Sequence, residues 1–363
     1  MKVTIDHPFW HLSEQLAAAI RAAAPEAERL GHLHAEQLAI IYEQGWLNAL
    51  VPQVYGGLEL SLPEVLALEE ALAWADGSVG WVTTLCSGAG WFAGFLDPAL
   101  AAELFQNPHA CLAGSGGTTG TATVTESGYT INGYWKHASG ALHATAFTAN
   151  CMLEKEGRPL LSPDGTPLVR PFVLKKDEVT IHTTWNAMGM VATGSHAFEA
   201  KEVVVPNNRC FIIAPEHAQV AAPLYHYPFL QLAETTLTVN LSGMAIRFLD
   251  LCTAYGKRKA QGSPTSRLLN LVASAQAQLN HQRQSFYEAT NTSWEMLLQK
   301  GSIHSALLAK VSAASMALVH QCRHWVNTLF PYCGLEAVDR HSELNRVWRN
   351  FHTAGQHALF SPE

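Results

Sequence analysis

The residues best placed to do chemistry lie in one short stretch, residues 128–143. Tyr129 and Ile131 alternate with Thr130 and Asn132, the period of a half-buried strand, and Gly128 and Gly133 mark tight backbone at its ends. The turn that follows presents Ser139 and Gly140. A glycine beside a serine lets a flat ligand approach the main chain, where a hydroxyl and backbone N–H groups can bond its edge. Taken alone, the stretch reads as an ordinary β-hairpin. A second run, Gly114 to Gly120, is glycine-rich but lacks the Lys-Ser/Thr of a phosphate loop and does not open a helix, so by itself it predicts a flexible turn. His320 and His324 stand four apart with Cys322 between them, yet no third ligand is near in sequence. They read as helix-surface residues, and no metal is expected.

These residues need a frame. At 363 residues the chain is long enough for two or three domains and a large core. A net charge of −7 without a basic stripe argues against nucleic acid as a partner. Hydrophobic residues make up 48% and charged ones 15%, which leans toward an oligomer that hides part of its surface. Seven scattered cysteines with no CxxC argue against a disulfide framework or zinc site and for a reducing, cytoplasmic compartment. Met1–Trp10 has no apolar run of the signal-peptide kind. Gly77–Leu96 carries no formal charge, but its glycines and hydroxyls suit a tightly packed buried helix better than a membrane span.

Element patterns divide the chain in three. Residues 10–108 carry apolar residues at helical spacing (Leu12, Leu16, Ile20; Val65, Leu68, Leu72), broken by Pro52 and Gly56-Gly57. Residues 109–213 alternate short β-rich runs with Gly and Pro, the mark of a small barrel or sandwich. Residues 214–363 return to helix over Phe229–Tyr255, Leu268–Leu298 and Ile303–Leu329, with a break at Gly262-Ser263-Pro264 between the first two. Long helices with short links make a bundle. The expectation is an α+β chain with domains at 1–108, 109–213 and 214–363.

Several motifs add to this. Residues 128–139 run Gly-Tyr-Thr-Ile-Asn-Gly-Tyr-Trp-Lys-His-Ala-Ser. Trp185 opens a segment containing Gly189-Met190, Thr193-Gly194-Ser195 and a strand ending at Pro206. Val51-Pro52 is followed by Tyr55-Gly56-Gly57. Together they resemble the acyl-CoA dehydrogenase-like flavoproteins. That resemblance implies an N-terminal α-helical domain, a middle β-barrel or sandwich and a C-terminal four-helix bundle, assembled as a homotetramer around a flavin, FAD or FMN. It further implies that Ser115 and Gly116 run along the flavin, that Ser139, Gly140 and Trp185 hold its ring, and that Gly334 lies in a turn near it. Arg258, at the end of the first bundle helix, would reach the pyrophosphate of a neighbouring subunit's flavin. A plain alternative for Arg258 is a cation answering the helix dipole.

The C-terminal segment Asn345 to His357 resembles the family's Arg-x-x-Arg-Asp helix and the active-site segment after it, but departs from the dehydrogenases. Where they keep a catalytic Glu, this chain has Ala358, with His357 beside it. Ala cannot act as a base. Arg349-Asn350 followed by His357, and Trp135-x-x-Ala138-Ser139-Gly140, are similar to the reduced-flavin monooxygenase branch of the fold. The implied activity is the oxygenase component of a two-component monooxygenase. A separate reductase supplies reduced flavin, and one atom of dioxygen passes to a small aromatic or heterocyclic substrate. Ser139 would donate a hydrogen bond at the flavin N5 edge. His357 is the first choice for a base or substrate holder and His143 the second, histidine titrating near neutrality. The plain alternative is that His357 caps the final helix. Two other readings stand beside the monooxygenase: an acyl-CoA dehydrogenase or oxidase with a relocated base, and a non-catalytic relative.

Overall fold

The computed structural model describes residues 7–260 and 267–361. The first helices start where short polar side chains can accept the N–H groups that an N-terminus leaves unpaired. Ser13 caps α1 (Glu14–Leu30), and Ser61 with Glu64 forms a capping box on α3 (Leu62–Ala75). Asp76 Oδ1 accepts Ser78 N–H and Val79 N–H, each at 3.0 Å, at the head of α4 (Gly77–Gly90). Between α2 (Ala35–Glu43) and α3 the Pro52 to Gly57 region forms a loop with one 3-10 turn, and α5 (Pro98–Phe105) follows Asp97. The uncharged stretch after Gly77 is α4 and a short 3-10 turn, almost wholly buried. No helix among the described residues is long and apolar enough to cross a membrane.

The strands β1 (Leu112–Val124), β2 (Gly128–Ala138), β3 (Ala146–Lys155), β4 (Arg158–Pro159), β5 (Val169–Lys175), β6 (Thr180–His182) and β7 (His196–Pro206) form one seven-stranded sheet. The order is β4-β3-β1-β2-β7-β6, with β5 also on β3. The β1–β2 pair is an antiparallel hairpin, but the turn after β2 is not one. The chain crosses from Ala138 to β3, which pairs in parallel with the far side of β1. The sheet has its own core, in which Trp135 stacks on Phe198 at 5.1 Å between centroids. The glycine-rich run lies inside β1 rather than in a free turn. Its register against β3 jumps between Ser115 and Thr118, so Gly116 and Gly117 bulge out of the ladder.

The helices α6 (Phe229–Lys259), α7 (Arg267–Lys300), α8 (Ser305–Leu329) and α9 (Glu343–Ala354) follow. The expected break at 262–264 lies outside the described residues. One hydrophobic core runs through α1–α5 and α6–α9 together. At its centre Glu70 of α3 accepts two bonds from Arg283 (2.9 and 2.6 Å) and one each from Tyr287 (2.9 Å) and Ser242 (2.5 Å). Burial alone would raise the Glu70 carboxyl, but Arg283 and these bonds hold it below the ordinary range.

Candidate active site

Ser139 sits where the turn after β2 meets α4 and the loop between β6 and β7. Gly140 makes the turn possible. Its φ is +77°, and a Cβ there would lie 2.9 Å from Cys86 Sγ and 3.0 Å from His143 Nε2. Gly140 N–H donates to Thr193 O at 2.9 Å, and Cys86 Sγ lies 3.6 Å from Ser139 O. Ser139, Thr193 and Ser195 are buried.

The loop opposite is organised on Met190, a non-glycine residue in the left-handed region (φ 53°). Such a conformation costs on the order of 1–3 kcal/mol and persists only where its surroundings fix it. Here Met190 N–H donates to Asn350 Oδ1 at 2.7 Å, while Met190 O accepts from Trp185 Nε1 at 2.8 Å and Thr193 Oγ1 at 2.7 Å. Gly189 is pressed against α9: a Cβ there would stand 2.1 Å from Arg349 O. Arg349 donates to Met188 O at 2.7 Å and pairs with Glu28 of α1. The Arg-Asn pair thus holds the loop that carries Thr193 and Ser195.

The hydroxyls have a direction. Thr193 spends its proton on the Met190 carbonyl. At 2.6 Å from Ser195 Oγ it must therefore accept, and Ser195 must donate. Ser139 Oγ, 2.9 Å from Ser195 Oγ, is left to donate to it. A ligand meeting Ser139 then finds an acceptor, the reverse of the donor expected from the sequence.

Of the other residues singled out, Trp185 joins this cluster, its ring edge-on to His137 at 5.8 Å. Ser115 and Gly116 lie in the β1 bulge, where Gly117 N–H reaches only Ser115 Oγ at 3.3 Å and open space surrounds Gly116. His143 turns behind Ser139 toward Cys86 and Cys111, its Nε2 buried without a partner. Cys111, then His143, pull the Cys86 thiol down against burial, while Cys86 and burial push Cys111 up. His357 packs on Trp81 of α4 at 5.9 Å. Its Nδ1 accepts Leu359 N–H at 3.3 Å, capping the last 3-10 turn, and burial lowers its pKa. With Nδ1 accepting, the proton of the neutral ring is on Nε2. Arg258 and Gly334 come together elsewhere, at the far end of α6. Arg258 bonds both oxygens of Glu336 at 2.8 Å, and Gly334 (φ 56°) lies against Tyr255. Thr193, Ser195, Met190 and Asn350 were not singled out as site residues. All four stand in the Gly189-Met190, Thr193-Gly194-Ser195 and Arg349-Asn350 motifs, but a motif does not show that the Met190 backbone is the keystone joining them.

A helical frame that grips a single central sheet, with a glycine-serine turn facing a Thr-Gly-Ser loop, is the architecture of the acyl-CoA dehydrogenases. The acyl-CoA dehydrogenase N-terminal domain matches residues 12–95 and the C-terminal domain residues 235–362. A pigment production hydroxylase of Rhodococcus sp. is 30% identical over 288 residues, covering 73% of this chain and 72% of its own. The chain belongs to the acyl-CoA dehydrogenase-like flavoprotein superfamily. Further similarity is to an indole-3-acetate monooxygenase of Pseudomonas putida, 28% identical over 93% of this chain and 87% of that one. The crystal structure of the HsaA monooxygenase from M. tuberculosis has the same fold, with a TM-score of 0.89 at 23% identity over 96% of this chain and 92% of that one.

Proposed function

We propose that this protein is the oxygenase component of a two-component flavin-dependent monooxygenase acting on a small aromatic or heterocyclic compound. The observation that carries the reading is the hydroxyl chain that ends on Ser139 with its acceptor free. The reduced form of a flavin carries a hydrogen on N5, and an acceptor at that edge suits the reduced ring. The residues present fit a flavin, FAD or FMN: a buried hydroxyl in a turn that a Cβ would fill, an indole edge at Trp185, and a strand bulge after Ser115 with open space over Gly116. Reduced flavin, when bound, activates dioxygen and supplies one oxygen atom to the substrate.

The protein's part is to bind, orient and keep dry. Ser139 and Gly140 fix the ring edge, and Trp185 and the Met190 loop wall it. His357 directs Nε2–H outward from its cap and holds the substrate oxygen. His143 supports the turn from behind. Arg258 meets the phosphate of a flavin in a neighbouring copy of a cytoplasmic homotetramer, and a separate reductase supplies the reduced flavin. The monooxygenase and hydroxylase names of the relatives support this reading, as does Ala358 at the position of the dehydrogenases' Glu. The test is to supply reduced flavin and labelled dioxygen to the purified protein with a phenol or an indole. Label in the product is expected. Bleaching of bound oxidised flavin by an acyl-CoA would overturn the reading in favour of a dehydrogenase, and failure to take up any flavin would leave a binding protein.

A further inference from the structure

Behind the Ser139–Gly140 turn, three donors converge from segments distant in sequence: Cys86 from the middle of α4, Cys111 directly before β1, and His143 from the turn itself. The two sulfurs and a ring nitrogen of His143 all lie within 4.8 Å of one another. We propose that Cys86, Cys111 and His143 form a site for one divalent cation of the zinc class, with a fourth position open. Tetrahedral zinc holds thiolates at about 2.3 Å and imidazole nitrogen at about 2.0–2.1 Å. That places ligand atoms about 3.4–3.8 Å apart, so closure shortens any one separation by up to about 1.4 Å.

The donor set is the soft one that selects zinc over the hard cations. His143 Nε2 is a buried polar atom with no other partner, which a metal bond would satisfy. Both cysteines are fully buried, so a charged group there must be neutralised. Two thiolates do this for a divalent ion. Binding takes the proton from each thiol and releases both to solvent, with neutral His143 keeping its proton on Nδ1. A cation can enter past His143, which is half-buried beside exposed Leu142. Once bound, it ties α4, the first strand and the ligand-binding turn into one unit. The scattered spacing hid this from sequence because only the parallel crossover brings the three segments together.

The experiment uses the full chain, reduced and stripped of metal by a chelator, titrated with Cd²⁺ and with Zn²⁺. One Cd²⁺ per chain is expected, with a thiolate-to-metal charge-transfer band in the ultraviolet. Two protons should be released per ion, and the melting temperature should rise with metal concentration. Cys86→Ser and Cys111→Ser should each weaken binding by more than the roughly 10–100-fold typical of residues that only orient ligands. Should either serine variant fail to fold, His143→Gln at its half-buried position carries the same test. Absence of a band and of proton release in wild type overturns the proposal. So does a band that survives all three substitutions but is lost in Cys252→Ser, since Cys252 and Cys333, 3.4 Å apart, are the other thiol pair.

Discussion

Glu69 offers a sharp test of the packing between α3 and α4. Its carboxyl is fully buried. Oε1 receives Ser87 Oγ at 3.3 Å, and Oε2 is buried without a partner. Burial pushes it from the ordinary 4.5 up to about 8, against weaker pulls from Ser87 and Thr84. The folded protein therefore keeps this proton up to about pH 8, while the unfolded chain releases it near 4.5. Between those values the folded state binds more protons, so stability falls as pH rises. At ~1.4 kcal/mol for each tenfold change, the gap amounts to about 3–5 kcal/mol by pH 8. Glu69→Gln keeps the shape and removes the ionisation. Denaturant midpoints of wild type and variant should nearly coincide at about pH 4.5 and diverge by about pH 8.5, the variant being the more stable, with equal slopes. Parallel pH profiles for the two proteins would refute the argument, because they would mean that Glu69 is hydrated or paired in the fold.

Four other outcomes follow from the geometry. Ser139→Ala should raise the share of consumed oxygen released as hydrogen peroxide and weaken flavin affinity by about tenfold or less, one neutral hydrogen bond being worth about 0.5–1.5 kcal/mol; unchanged coupling and affinity remove it from the site. His357→Ala should leave flavin affinity intact and slow turnover by about tenfold. A loss of about 10²–10⁴ would instead mean that the ring takes a proton, and full activity with a lowered melting temperature in His357→Asn would leave it a cap only. Glu70→Ala removes the carboxylate that neutralises buried Arg283 and should cost about 3–5 kcal/mol, read by denaturation. Because the folded Glu70 is held below its ordinary value, its contribution is present above about pH 4.5 and is lost as pH falls further. Asn350→Ala leaves Met190 N–H unpaired and should cost about 1–3 kcal/mol, with a drop in flavin affinity, because the Thr193–Ser195 loop loses its anchor.

The helices were legible because their signals are local. Asp76, Asp97, Ser61 and Ser342 cap where short-range chemistry says they should, and the apolar stripe of α8 repeats every three or four residues. The strands were legible as strands, but their pairing was not. The stretch 128–143 reads as a hairpin because nothing within it records that β3 will bypass β2 and join β1 in parallel. The same blindness to non-local pairing turned the glycine-rich run into a loop, whereas β3 captures it as a bulged strand. At the site, Ser139 stood out by its neighbour Gly140, yet its hydrogen-bond polarity is set by Thr193, Ser195 and Met190, more than fifty residues on. His143 was marked by its place in a motif, and its surroundings come from two cysteines that no spacing rule connects to it.

The far end of α6 is built differently from the Ser139 site, and the contrast bears on how the chain assembles. Arg258 Nη2 alone donates to both oxygens of Glu336 at the surface, and such exposed pairs contribute little, about 0–1 kcal/mol. The same turn leaves Leu335 85% and Val338 58% exposed around Gly334. A cation that is cheap to release, set beside apolar side chains that are costly to leave bare, is the composition of a surface awaiting company. Docking of a second copy would cover Leu335 and Val338, and a phosphate from that copy would compete with Glu336 for the guanidinium. The Ser139 turn needs no such help, because Ser195, which bonds the Ser139 hydroxyl, and Thr193, whose carbonyl accepts from Gly140 N–H, belong to the same chain. On the proposed reading, the ring-binding half of the site would be complete in one protomer, and the phosphate-binding half would become so only on assembly.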